Sequence, residues 1–221
     1  MRSFGTPEFL FMLRAARWTV ALSLIAYAGG GAVGLVLAFM RVSGSRVARG
    51  VARAWILLFQ CIPLLMLLFL VFFGLALTGY EQNPYVAVPV ALSAYAGAYF
   101  GEIWRGAIEA VPRGQWQASA ALAFTRWEQF RYVVVPQSVR IAIPPTVGFM
   151  VQVVKNTSLA SIIGFQELTQ ASQFVNNLTF QPIGVYLVAA AMYFVLCFPM
   201  TLLSRRLEKE LHADRPRPVA A

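Results

Sequence analysis

The sequence predicts an all-α integral membrane protein with five transmembrane helices and a polar helix–turn–helix between the third and the fourth. Three observations carry this. Hydrophobic residues make up 59% of the chain and charged ones 12%, with a mean hydropathy of +0.65, too apolar for an ordinary soluble domain. Five apolar stretches recur, at 18–40, 54–77, 86–104, 147–165 and 183–203, each close to the ~20 residues that cross ~30 Å of hydrocarbon. Residues 105–140 break this pattern with five arginines and a run of small and polar residues. The 221 residues thus read as one transmembrane domain.

Residues 1–17 alternate apolar clusters (Phe4, Phe9 to Leu13) with Glu8, Arg14 and Arg17, and read as an amphipathic lead-in at the interface. Trp18 to Met40 carries no charge and forms the first span. Ala26-Tyr-Ala28 offers a small-x-small cleavage site, but the apolar run continues far past it, which argues against a signal peptide. Gly29, Gly30, Gly31 and Gly34 place small residues on successive turns, as close helix packing in lipid requires.

Arg41 to Arg53 holds four arginines and no acid, the composition of a short loop retained inside the cell. In the second span Gln60 and Pro63 interrupt the apolar run, and Pro63 is expected to kink the helix. The next loop, Thr78 to Pro84, has Glu81 and no base, and reads as external. The third span ends near Glu102, which reads as a helix-end carboxylate beside Arg105.

Within 105–140, Pro112 and Gly114 punctuate the entry to a predicted short helix at 115–124. Thr125-Arg-Trp-Glu128 has capping-box spacing, so a second short helix is expected to begin there and stop before Pro136. The first helix carries Ala118, Ser119, Ala120, Ala121 and Ala123 where a free surface helix would carry charges. Spacing alone allows two readings, a helix resting on its own bundle or one docked to a partner.

In the fourth span Gln152 is followed by Lys155-Asn156-Thr157-Ser158. Four consecutive polar residues turn through about 300° of helix and cannot all face one neighbour, so this segment must be enclosed by protein or unwound beside a wet cavity. Lys155, with Gly148 and Gln152 on the same face, is the candidate functional charge, either meeting a solute carboxylate or holding the unwound backbone. Residues 166–181 are polar, contain Glu167 and no base, and read as an external loop. Pro199 lies near the inner end of the fifth span, and a basic tail follows from Ser204. With five spans the N-terminus falls outside and the C-terminus inside, at the expense of placing Arg2, Arg14 and Arg17 outside against the charge rule.

Several chemistries are missing. No G-x-x-x-x-G-K-[ST] occurs, so this chain has no P-loop for ATP. His212 is the sole histidine, and Cys61 and Cys197 sit in apolar runs, which argues against a metal site or a disulfide. Ser158 and Ser161 have only Lys155 as a titratable partner, a weak basis for an enzyme. The +9 net charge suits anionic headgroups and inner loops, and no soluble module is left to bind nucleic acid.

The 105–140 segment resembles the cytoplasmic coupling loop of permease subunits of ATP-binding-cassette importers, written EAA, three residues, Gly, nine residues, Ile, one residue, Leu-Pro. Gln117, Ala118 and Ser119 stand at the EAA places, Ala123 at the Gly, Val133 at the Ile and Val135-Pro136 at the Leu-Pro, without a gap. Gly114 to Leu122, Pro136 to Arg140, Val153 to Leu159 and Ile162 to Leu168 resemble the polar-amino-acid branch of these permeases. Gln60-Cys61-Ile62-Pro63-Leu64 stands where such permeases often read Arg-Gly-Thr-Pro-Leu. The resemblance implies a subunit of the bacterial cytoplasmic (inner) membrane that translocates an amino acid or similar small polar solute. It also implies a second permease subunit, identical or homologous, two ATPase subunits that bind the ATP, and an external solute-binding protein. On this reading Gln117, Ala118, Ser119, Ala121, Leu122, Ala123 and Phe124 would dock the ATPase. Gly148, Gln152, Lys155, Asn156, Thr157, Ser158 and Glu102 would border the solute pathway. The rival reading is a self-contained secondary transporter or channel that uses Lys155 and Glu102 as coupling charges.

Overall fold

The computed structural model describes residues 4–77, 79 and 83–213. The loop acid Glu81 and the tail from residue 214 on lie outside the described residues. All regular structure among the described residues is helical, in the order α1 (Thr6–Val42), α2 (Arg46–Cys61), α3 (Leu64–Leu77), α4 (Pro84–Glu109), α5 (Arg113–Ala121), α6 (Arg126–Glu128), a π-helical turn (Gln129–Val134), α7 (Val135–Asn156), a 3-10 segment (Thr157–Ile163), α8 (Leu168–Thr179) and α9 (Pro182–Ala213).

Four helical stretches, Thr6–Val42, Pro84–Glu109, Arg126–Ile163 and Pro182–Leu211, are long and apolar enough to cross a membrane, and α2 with α3 makes a fifth, bent candidate if the pair is one span. The expected lead-in is not separate, because α1 runs unbroken from Thr6. Pro7 sits in its first turn, where no donor is needed, and no second proline follows before Ser43. Pro63 does more than kink its span: α2 and α3 differ in direction by 106°. Legs of sixteen and fourteen residues meeting at that angle still span roughly 27 Å end to end, near one hydrocarbon thickness.

The core begins with α1 against α4. Added Cβ atoms would lie 2.6 Å from Ala96 at Gly30, 2.7 Å from Phe100 at Gly34 and 2.9 Å from Leu37 at Gly101. The register rises together along both helices, so they run parallel, and van der Waals contact between close backbones joins them where lipid gives no hydrophobic drive. Leu22, Ala26, Leu64, Leu68, Leu92, Phe100, Val153 and Ala160 continue this core through α3, α4, α7 and the 3-10 segment. The Tyr27 hydroxyl donates to the carbonyl of Met150 at 2.8 Å and ties α1 to α7.

Two expectations fail for local reasons. The helix begun by the Thr125–Glu128 capping box does not stop before Pro136. Its ladder widens to i→i−5, with Val135 N–H donating to Phe130, and Pro136 then falls in the first turn of α7, where its missing donor leaves no gap. Pro144 and Pro145 sit inside α7, and the Ser204 hydroxyl of α9 donates to the Pro144 carbonyl at 3.0 Å. Within 166–181 the chain forms α8, which buries Leu168, Ala171, Ser172, Val175 and Thr179 at helical spacing against α1 and α9. That spacing was present in the sequence, but the polar residues between these positions masked it.

Candidate functional site

Residues 152–158 fall into two groups. Gly148, Gln152 and Lys155 are exposed on one face of α7 with Asn156 half-buried at its edge, and Gln152 Nε2 donates to Asn156 Oδ1 at 3.1 Å. Thr157 is fully buried, and its hydroxyl donates to the Val154 carbonyl at 2.7 Å. Ser158 does the same to Lys155 and Ser161 to Ser158, each at 2.7 Å. Three hydroxyls bonding back to carbonyls three residues earlier compete with the α ladder, and the backbone tightens into the 3-10 turn. The segment is therefore locally rewound, with Thr157 buried and Lys155 left open, and Gly164, with φ of +85°, ends it.

Aromatic residues that sequence reasoning passed over flank the polar stripe. Tyr99 stacks on Phe149 with centroids 4.7 Å apart, and Tyr95 packs on Tyr99 at the same distance. Both tyrosines are half-buried on α4, four residues apart on the face that meets α7. Their sequence signal was that i, i+4 spacing within the third span.

Glu102 does not join Lys155. Its carboxylate pairs with Arg105, which also holds Glu109, and lies 3.8 Å from Arg41 of α1. Trp104 Nε1 donates to Thr146 at 3.0 Å, which sets the level of this end of α4 against α7. Lys155 is nine residues further along, roughly 13 Å at ~1.5 Å per residue.

At the same end of the bundle as that ion cluster, α5 turns Ser119 and Trp116 inward and Gln117, Ala118, Ala120 and Ala121 outward. Ser119 is buried and donates to the Trp116 carbonyl. Leu122 is 72% exposed, Trp127 68%, and Phe124 also stands open. The helix closes with a paired C-cap: Phe124 N–H donates to Ser119 and Ala123 N–H to Ala120. Ala123 takes φ of +61° there, a left-handed position that glycine fills without strain.

Glu167 is a buried acid that the loop reading did not single out. Its carboxylate accepts from the Tyr193 hydroxyl at 2.6 Å, the Gln170 N–H at 2.9 Å and the Thr19 hydroxyl at 3.4 Å, fastening α1, α8 and α9. Burial pushes its carboxyl above the ordinary carboxylate range, and the Tyr193 hydroxyl opposes that shift.

Residues 30–213 match the family described as "Binding-protein-dependent transport system inner membrane component". The chain belongs to this family. The match takes in α5, the polar stripe of α7, the α2–α3 bend and α8. Among its relatives in the family, the chain is 30% identical over 203 residues to the probable amino-acid ABC transporter permease protein YckA of Bacillus subtilis, covering 92% of this chain and 90% of that one. It is 30% identical over 207 residues to the glutamine transport system permease protein GlnP of Escherichia coli K12, covering 93% and 94%. It is 32% identical over 196 residues to the L-cystine transport system permease protein TcyB of Bacillus subtilis, covering 88% and 83%. The crystal structure of an amino acid ABC transporter with histidines superposes with a TM-score of 0.86 at 29% identity, over 90% of this chain and 94% of that chain. The inward-facing MetNI methionine ABC transporter shares the fold at a TM-score of 0.74 and 18% identity, over 94% of this chain and 99% of that chain.

Proposed function

We propose that this inner membrane component is the permease subunit of an ATP-binding-cassette importer that carries an amino acid or a similar small polar solute into the cytoplasm. The observation that carries this reading is α5, a short helix at one end of a membrane bundle that keeps Ala118, Ala121 and Leu122 open instead of burying them. A helix that rested on its own bundle would bury its small face. The relatives named for amino-acid, glutamine and cystine transport support the solute class.

In the proposed assembly the N-terminus is outside and the C-terminus inside, so that α5 and the arginines of 41–53 and 105–140 lie in the cytoplasm. Two ATPase subunits bind α5 and hydrolyse ATP, and this chain performs no chemistry of its own. A second permease, identical or homologous, faces the Gln152, Lys155 and Asn156 stripe, and a solute-binding protein delivers from outside. Thr157 and Ser158 shape the backbone behind that stripe rather than meet solute. The separation of Lys155 from Glu102 removes the charge pair on which a self-contained transporter would depend. Purification of the tagged chain from its native membrane tests this: stoichiometric ATPase subunits are expected, while solute transport by the chain alone in liposomes would overturn it.

A further inference from the structure

A cavity of about 530 Å³ opens between the N-terminal part of α1 and the start of α8, lined by Phe11, Arg14, Arg17, Trp18, Gln170 and Phe174, with Glu167 at its inner wall. Arg14 and Arg17 are exposed on one side of α1, and among the described residues neither forms an ion pair. The guanidinium of Arg17 lies over the Trp18 ring, 5.6 Å from its centre. Glu167 is not their partner, because Tyr193, Thr19 and Gln170 engage its carboxylate from the protein side.

Depth decides what fills the cavity. Trp18 to Met40 carries no charge and covers about 34 Å at ~1.5 Å per residue, one hydrocarbon thickness. Arg17 and Arg14 therefore stand at the level of the headgroup phosphates. Leu10, Leu13 and Val20, which flank them, are exposed and apolar, as suits contact with acyl chains rather than with a soluble protein. These arginines are also the ones that oppose the charge rule, so an anion on their own side offsets them.

We propose that this cavity is a phospholipid site: Arg14 and Arg17 bind the phosphodiester, and Phe11, Trp18 and Phe174 hold the glycerol and first methylenes. Two cations beside one phosphate favour a lipid of net negative charge, such as phosphatidylglycerol, over zwitterionic phosphatidylcholine. The leaflet follows from the outward N-terminus proposed above, but the binding does not, so a wrong topology and a wrong site fail separately.

The test is native mass spectrometry of the intact importer complex in detergent, titrated with phosphatidylglycerol, phosphatidylethanolamine or phosphatidylcholine. The wild type is expected to hold one phosphatidylglycerol per permease in preference to phosphatidylcholine. R14Q/R17Q should weaken that binding on the order of tenfold, from two lost arginine–phosphate contacts. Gel filtration with the ATPase attached reports assembly, and if R14Q/R17Q does not assemble, the single variant R14Q decides. Unchanged affinity in R14Q/R17Q, or in R14Q where the double variant fails, overturns the site. Full displacement by inorganic phosphate would make it a free-anion site instead. Loss of affinity for the solute-binding protein with lipid binding intact would assign the arginines to protein docking.

Discussion

Lys155 shows how a single residue can be placed by its neighbours. The hydroxyls of Thr157 and Ser158 just after it turn back to carbonyls, and the lysine is left on the open face with Gln152 and, at its edge, Asn156. A cation near mid-span is costly, by about 2.5–3.5 kcal/mol on insertion scales. Lys155→Met should therefore leave folding and insertion intact and lower solute uptake. Unchanged uptake would remove Lys155 from the pathway. Ala123 makes a different point, since it occupies a left-handed position that disfavours an L residue by roughly 1–2 kcal/mol, of which glycine recovers all but its extra chain entropy. Ala123→Gly should stabilise the end of α5 by about 0.5–1 kcal/mol and slow amide exchange at Phe124, whereas faster exchange would show that the alanine is not strained. Glu167 gives a pH dependence. Its folded-state proton affinity is raised by burial, so its contribution is complete below the unfolded carboxylate value and is lost as pH rises through the folded one. Thermal stability in detergent should fall as pH rises from about 4, and E167Q should flatten that slope. A slope that survives in E167Q would assign the dependence to another group.

Among the elements, α5 and α8 contrast. Both are short and amphipathic, but α8 buries its small and apolar face against α1 and α9, while α5 leaves most of its small face open. If that face fits a groove on the ATPase, one large side chain there disturbs dense packing by about 1–3 kcal/mol. Ala121→Trp should release the ATPase, or uncouple hydrolysis from uptake, with the permease still stable in detergent. A destabilised permease that retains its ATPase in full would instead make α5 a structural prop. The capping box, the π turn and the proline-opened start of α7 then form one continuous helix from α6 to the polar stripe, so a displacement of α5 has a stiff element through which to act.

For the molecule as a whole, charge and packing bear on orientation together. The parallel pairing of α1 and α4 requires the chain to return across the membrane between them, and the bent α2–α3 pair is the segment that can do it. Starting outside, this route brings the arginines of 41–53 and 105–140 to one side. S45C, in a chain whose Cys61 and Cys197 are replaced by serine, should resist a membrane-impermeant thiol reagent in intact cells and react once the cells are opened. Labelling in intact cells would reverse the topology.

By itself the sequence determined the membrane class, the apolar stretches long enough to cross, the capping box at Thr125, and the absence of a nucleotide loop. Each of these depends on residues near one another in the chain: hydropathy over about twenty positions, a cap over four, a motif of fixed spacing. Only the tertiary structure decided that Thr157 is buried while Lys155 is open, that Arg41 of α1 joins the Glu102–Arg105 pair, that the chain turns through 106° at Pro63, and that residues 168–179 form a helix fastened by Glu167. Those outcomes depend on which distant segments pack together, and a polar residue near mid-membrane is read differently once its hydrogen-bond partner is known to lie on its own helix or across the bundle.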